Sequence, residues 1–256
     1  MTIIKFQDVP TSCEGLGGKG YVLGQLAQKG FPVPTGAILT SIPETENQWQ
    51  KIFKWWKEIG SPNIAVRSSA IGEDSKEHSF AGQNTTYLNV KNENDIKESV
   101  RNCFNSVFGE SSQTYRHFFA KKNPLKDHMN VVLQEMVDPE FSGVFFSIDP
   151  RGQAKEWIIE LIQGLGEDLV SGRKTPIFIT AENRAEVTVP GLDTFNFEKV
   201  LKKGFEAKEI LGYEVDMEWA LDENLNFKLL QARPVTAMQS ITNQVKVVES
   251  ELQRLR

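Results

Sequence analysis

The segment VDMEWALDENLNFKLLQARPV, residues 215–235, constrains this chain more than any other stretch. Side chains of a strand alternate between its two faces, so an alternating run that reverses through polar turn residues predicts a hairpin. Asp216, Glu218 and Ala220 fall on one face, and Met217, Trp219 and Leu221 on the other. On the return strand Phe227, Leu229, Gln231 and Arg233 share a face, opposite Leu230 and Ala232. With a four-residue loop at 223–226, Asp222 faces Phe227, which sets Glu218 opposite Gln231 and Asp216 opposite Arg233. Two acids, a carboxamide and a guanidinium then converge, and a register slip of a single residue would part them.

Charged groups on a half-buried sheet face are costly unless they serve each other or a ligand. Two hard oxygen donors spaced i, i+2 suit magnesium, which prefers carboxylates and substrate phosphates to a complete protein cage. The competing reading is a solvated outer face carrying one Asp–Arg pair. The residues alone leave both open.

The hairpin closes a half of the chain that reads mainly as sheet. VVLQEMV, GVFFSI, EWIIEL and PIFIT are short apolar or alternating runs separated by turn residues, interrupted by a helical piece near Phe197–Leu211. The first half is richer in helix. Residues 13–40 read as a Gly-rich loop, a helix from near Lys19 with Leu23, Leu26 and Ala27 on one face, a turn at Gly30 and a short strand. Residues 41–61 place Trp49, Ile52, Phe53 and Trp56 at helical intervals. IAVRSSA at 64–70 and TYLNV at 86–90 are strand-like, with a polar loop at 72–83 between them. A helix of about 95–120 follows, with Val100, Phe104, Val107 and Phe108 on one side. The fold class is therefore α+β. Residues 238–256 read as a polar amphipathic helix or linker.

Bulk properties exclude several classes of function. The net charge is −5, with 29 basic and 34 acidic residues interleaved, which leaves no electrostatic footprint for nucleic acid. Cys13 and Cys103 lack the spacing of a zinc site or a disulfide framework. MTIIKFQDVP has no signal-type apolar region, and no apolar run approaches the roughly 20 residues that span a bilayer. A cytoplasmic location, without membrane partners, is the expectation. A hydrophobic share of 39%, including 16 Phe and 5 Trp, supplies enough apolar surface for a packed core throughout.

Several further stretches could carry chemistry. In Gly15-Leu16-Gly17-Gly18-Lys19-Gly20, glycines let backbone N–H groups approach an anion and the lysine adds a point charge at a helix start. The spacing is not that of a Walker A loop, and a plain helix-start loop with a solvated lysine is the alternative. Arg67 ends an apolar strand, where a guanidinium must meet a carboxylate or a phosphate. Ser79-Phe80-Ala81-Gly82-Gln83 could close over phosphates or be an ordinary surface loop. VVLQEMV at 131–137 could be a plain core strand, and QGLGE at 163–167 a tight connection.

Taken in order, GGKG, VRSSA, SFAGQ, LQEMV, SGVFFSIDP, GLGEDLVSG and DMEWA…LQARPVT resemble the motif series of the nucleotide-binding domain of pyruvate phosphate dikinase and phosphoenolpyruvate synthase, which also occurs in rifampicin phosphotransferases. The similarity runs from about Gly15 to Thr236. It implies an ATP-grasp architecture whose two lobes, with mostly antiparallel sheets, enclose ATP: residues 1–125 on the phosphate side and 126–237 on the adenine and magnesium side. By the same resemblance Lys19 and Arg67 touch the phosphates, Gly82 and Gln83 lie on a phosphate-covering loop, and Asp216, Glu218 and Gln231 hold magnesium. Arg233 reaches the transferred phosphoryl group. Adenine is held by the backbone of Glu135 and Val137 with help from Gln134, and Glu140 meets the ribose.

In that family ATP is split to AMP and phosphate while a phosphoryl group passes to a histidine on a swivelling domain. His78, His117 and His128 do not stand in the family's Thr-Ser-Gly-Gly-x-x-x-His type of sequence, so the expected acceptor is a histidine domain or protein in trans. The region from Asn183 to Glu214 and the stretch after Thr40 are shorter than the family's pattern. A stand-alone subunit and an excised domain both fit. The alternative activities are an ATP-grasp ligase or small-molecule kinase forming ADP, and a nucleotide-binding module without turnover.

Overall fold

A computed structural model describes residues 1–71, 85–106, 129–152, 156–170, 172–189 and 197–235. The chain divides into two compact units, one made of Met1–Asp138 with Lys228–Gln231, the other of Pro139–Phe227 with the chain from Ala232 onward.

The first unit is built on an antiparallel sheet of β1 (Ile3–Lys5), β2 (Gly36–Leu39), β3 (Ile64–Ala70), β4 (Thr86–Val90) and β5 (Met129–Glu135), in the order β1-β2-β5-β3-β4. Pleating sends alternate side chains to opposite sides. Ile64 and Val66 of β3 and Val131 and Leu133 of β5 join the main core with residues of α2 (Glu46–Ile59) and α3 (Glu93–Asn105). The intervening residues, Ala65, Arg67 and Ser69 on β3 and Asn130, Val132 and Gln134 on β5, therefore face the other side.

Local signals fix these helices. Thr45 and Gln48 form a reciprocal capping box at the start of α2, and Gly60, at φ 69°, ends it in a left-handed conformation that favours glycine. Trp49, Ile52 and Phe53 are buried as their spacing predicts. Trp56 packs half-buried against the same core and donates its indole N–H to Ser61 O at 3.1 Å, and Trp55, which the spacing did not single out, is buried too. Asn92 caps α3 by accepting from Asp95 N at 2.9 Å, and Val100 and Phe104 are buried. The expected extension to about residue 120, with Val107 and Phe108, lies outside the described residues.

Helix α1 (Gly18–Gln28) covers the other side of the first sheet. Glycines make the approach possible, because a Cβ on Gly17 would overlap Ser69 O and Oγ, and one on Gly20 would lie 2.8 Å from Ile38 Cγ1.

The second unit carries a sheet in the order β10-β9-β6-β7-β8, formed by β6 (Pro139–Phe146), β7 (Ile158–Gln163), β8 (Ile177–Thr180), β9 (Val215–Asp222) and β10 (Phe227–Pro234). A single helical turn, α4 (Glu167–Val170), follows β7, and the helix read near Phe197–Leu211 is present as α5 over those same residues. Gly204 of α5 lies against the Phe145 ring, and Phe205 meets that ring edge-on at 5.5 Å. The β9–β10 loop is the four residues foreseen. Asp222 Oδ1 accepts from Asn224 N at 3.0 Å and Asn226 N at 2.9 Å, which holds Leu225 at a positive φ of 57°. Two antiparallel sheets with a few packed helices give the α+β class read from the sequence. No helix among the described residues is long and apolar enough to cross a membrane.

The two thiols should behave differently. Burial pushes the Cys103 thiol up to about 12, whereas Cys13 is exposed. We expect one thiol to react quickly with a disulfide reagent in native protein and the second only on unfolding. Two fast thiols in a folded sample would contradict this packing.

Candidate functional site

Two cations assigned from the sequence meet at the same strand of the first unit, β3, Arg67 as one of its residues and Lys19 through a hydrogen bond to it. Lys19, in the first turn of α1, is only 2% exposed, and its ammonium donates to Ser68 O at 2.9 Å. Arg67, the preceding residue on β3, donates from Nη1 to Leu230 O at 2.9 Å and from Nη2 to Gln231 Oε1 at 2.6 Å. Among its partners in the protein are thus a carbonyl and a carboxamide oxygen.

The glycine loop is held by the same strands. Gly17 N donates to Asn130 Oδ1 at 2.6 Å and Gly20 N to Ser69 Oγ at 3.4 Å, so those two N–H groups are spent on the sheet. Gln134, 2% exposed, faces the same side of β5 as Asn130, and its Nε2 has no hydrogen-bond partner among the described residues. A buried, unpaired amide donor is costly unless a ligand supplies an acceptor. Two cations for phosphates and an unpaired donor for a base fit an adenine nucleotide.

The strand end beyond Gln134 is partly committed. Glu135 N donates to Thr35 O at 2.8 Å, Glu135 Oε2 accepts from Thr35 N at 3.2 Å, and Met136 N donates to Asn63 O at 3.2 Å. An adenine contact through the Glu135 backbone is thereby narrowed to its carbonyl. Val137 is half-buried. In the second unit Glu140 is exposed and accepts from Gln163 Nε2 at 3.0 Å. Gly82, Gln83 and all three histidines lie outside the described residues.

In the second unit Asp216 is 9% exposed and forms an ion pair with Arg233, Nε to Oδ2, at 2.8 Å. The pairing follows the register read from the alternation. Yet β9 is not half-solvated: Met217, Trp219 and Ala220 are all fully buried. Burial raises the Asp216 carboxyl above its ordinary value, the Arg233 guanidinium opposes that shift, and the nearby Glu218 charge adds to it. Val144 of β6 is paired with Glu218 on one side and with Glu160 of β7 on the other, so the two acids share a face about 10 Å apart across two strand spacings.

Glu160 and Asn130 were not singled out by sequence reasoning. For Glu160 the available signal was a lone acid inside the apolar run IIELIQ. For Asn130 there was no signal beyond a polar residue at a strand start. Among the described residues no group of three or more His, Cys, Asp or Glu side chains is arranged to hold a metal ion. Asp216 and Glu218 fit a cation that takes two carboxylates and completes its shell from substrate and water. Gln231 Oε1 already accepts from Arg67, leaving one of its two lone pairs.

The model of the pyruvate phosphate dikinase AMP/ATP-binding domain matches residues 43–190. The chain belongs to that family. It is 28% identical over 93% of its length to a probable phosphoenolpyruvate synthase of Methanocaldococcus jannaschii, and 30% identical over 86% to the prodigiosin synthesizing transferase PigC of Serratia marcescens. A rifampicin phosphotransferase of Streptomyces is 34% identical over 68% of the chain. The chain spans 27%, 31% and 23% of these relatives' own lengths. Among solved structures, Ca. Korarchaeum cryptofilum ACD1 in complex with coenzyme A is similar at 13% identity, covering 89% of this chain and 98% of that one, with a TM-score of 0.49.

The acid row has a pH signature. Glu160 is raised above its ordinary 4.5 by burial and by the Asp216 charge, with Arg151 partly offsetting both. For an acid with a raised folded value, the stabilisation is complete below the unfolded value and is lost as pH rises through the folded one. Urea midpoints measured between about pH 4.5 and about pH 7.5 should therefore fall more steeply for wild type than for Glu160→Gln. Equal slopes would show that Glu160 titrates as it does in the unfolded chain.

Proposed function

We propose that this chain is an ATP-grasp phosphotransferase module that binds ATP with magnesium and passes a phosphoryl group to a histidine on a separate swivel domain or protein, as in phosphoenolpyruvate synthase. The observation that carries the reading is the pair of adjacent β3 anchor points, with the Lys19 ammonium on Ser68 O beside Arg67. Two fixed cations offset the charge of a polyphosphate with little reorganisation, which is most of what phosphoryl transfer asks of a protein.

Lys19 and Arg67 would bind and orient the phosphates, and Gln134 Nε2 would donate to an acceptor nitrogen of the adenine. The Glu135 carbonyl and the Val137 backbone would complete the adenine contacts, and Glu140 would serve the ribose. Asp216 and Glu218 would hold magnesium, which when bound neutralises phosphate charge. The roles of Gln231 as a third metal donor, and of Gly82 and Gln83 as a phosphate cover, rest on the motif resemblance. So does the role of Arg233 at the transferred group.

A second reading takes a small molecule as the immediate acceptor and forms ADP; the relative named a rifampicin phosphotransferase favours the small-molecule acceptor.

Isothermal titration of ATP with and without magnesium tests the site. Glu218→Ala should lower magnesium-dependent affinity by about tenfold or more while leaving magnesium-free binding unchanged. A wild-type ATP affinity that is the same with and without magnesium, and the same again in Glu218→Ala, would refute the metal site. With a histidine swivel domain supplied, AMP and phosphate should form together, and ADP as sole product would sink the dikinase reading in favour of the second.

A further inference from the structure

Helix α1 begins without a cap of its own. Its N-cap residue is Gly17, which has no side chain to accept from the first-turn N–H groups. The missing acceptors come from two neighbouring strands. Asn130, 1% exposed on β5, accepts from Gly17 N at 2.6 Å, and Ser69, its direct partner on β3, accepts from Gly20 N through Oγ at 3.4 Å. Gly20 is the third helical position, whose N–H an N-cap side chain ordinarily takes. The space a side chain at residue 17 would need is filled by Ser69 O and Oγ, so the cap has been moved from the helix to the sheet.

Lys19 lies between these two anchored N–H groups. Its stem leaves α1 at a point fixed to β3 and β5, and its ammonium reaches Ser68 O, one residue beyond Arg67. We propose that Asn130 is a positioning residue for phosphate binding: by holding Gly17 against β5 it sets where the Lys19 ammonium stands relative to Arg67. This rests on the reading of Lys19 and Arg67 as phosphate ligands. Asn130 touches no substrate in this account and acts through Lys19 alone.

If Gly17 loses its acceptor, a buried N–H is left unpaired and the helix start shifts to find water or another oxygen. Placement errors of this kind cost affinity beyond any loss of stability. The test is ATP–magnesium titration of the full chain, with thermal midpoints recorded in parallel. Asn130→Ala should weaken ATP binding about tenfold, and Asn130→Asp, which keeps an oxygen for Gly17 N, should restore it to within about threefold of wild type. In a Lys19→Met background the further loss from Asn130→Ala should shrink to under about threefold, because residues that act through one another are not additive. If Asn130→Ala does not fold, Asn130→Ser gives the same readout, since its shorter side chain keeps a polar group but withdraws the acceptor.

A lowered thermal midpoint with unchanged ATP affinity would make Asn130 merely structural and overturn the inference. An undiminished loss in the Lys19→Met background would overturn it too. If wild type binds no ATP, the phosphate-site reading fails and this inference with it, whereas wild-type binding with an indifferent Asn130→Ala overturns the inference alone.

Discussion

An ammonium ion only 2% exposed to water, resting on the carbonyl of Ser68, sets the terms for the first unit. Taking a charge out of water costs several kcal/mol unless polar groups receive it at fixed distances. Part of that demand is met by backbone: β3 presents the carbonyl, and α1 is brought close enough by Gly17 and Gly20 for the lysine to reach it. A serine and an asparagine secure the first turn. Arg67, one residue earlier, is likewise received by neutral oxygens, from Leu230 and Gln231.

The second unit solves a related problem with the opposite sign. Asp216 is buried on a strand whose other face is also buried, and it is held by one guanidinium while Glu218 and Glu160 stand near it. Burial and neighbouring acid charge raise the proton affinity of Asp216 and Glu160 together.

What the sequence made legible follows from which interactions are local. Strand alternation and a four-residue turn fix the β9–β10 hairpin, so the loop and the Asp216–Arg233 pair could be read directly. The bounds of β3, β4 and α5 followed from apolar runs and their punctuation. Pairing between distant strands was not legible, because alternation tells which side chains share a face but not which strand lies alongside. Nothing in VVLQEMV announces that β5 sits at the centre of the first sheet, between β2 and β3. That Trp55 is buried while Trp56 also packs against the core has a geometric cause: adjacent residues are about 100° apart on a helix, and a wide apolar arc admits both. Asn130 was invisible for the same reason as the position of β5, since its partner is 113 residues away.

That separation bears on how the protein is made. The acceptor for Gly17 belongs to a strand that begins at Met129, so a growing chain has α1 long before it has the residue that completes the helix start. Until β5 inserts between β2 and β3, the glycine-rich stretch has no sheet to lie on, and its local propensity for helix is poor. The lysine consequently acquires its position late, in the same event that closes the first sheet. On the proposed reading, nucleotide affinity and the assembly of that sheet are gained together during synthesis, and a ribosome-bound chain lacking β5 has the proposed phosphate ligands in its sequence without yet having them in place.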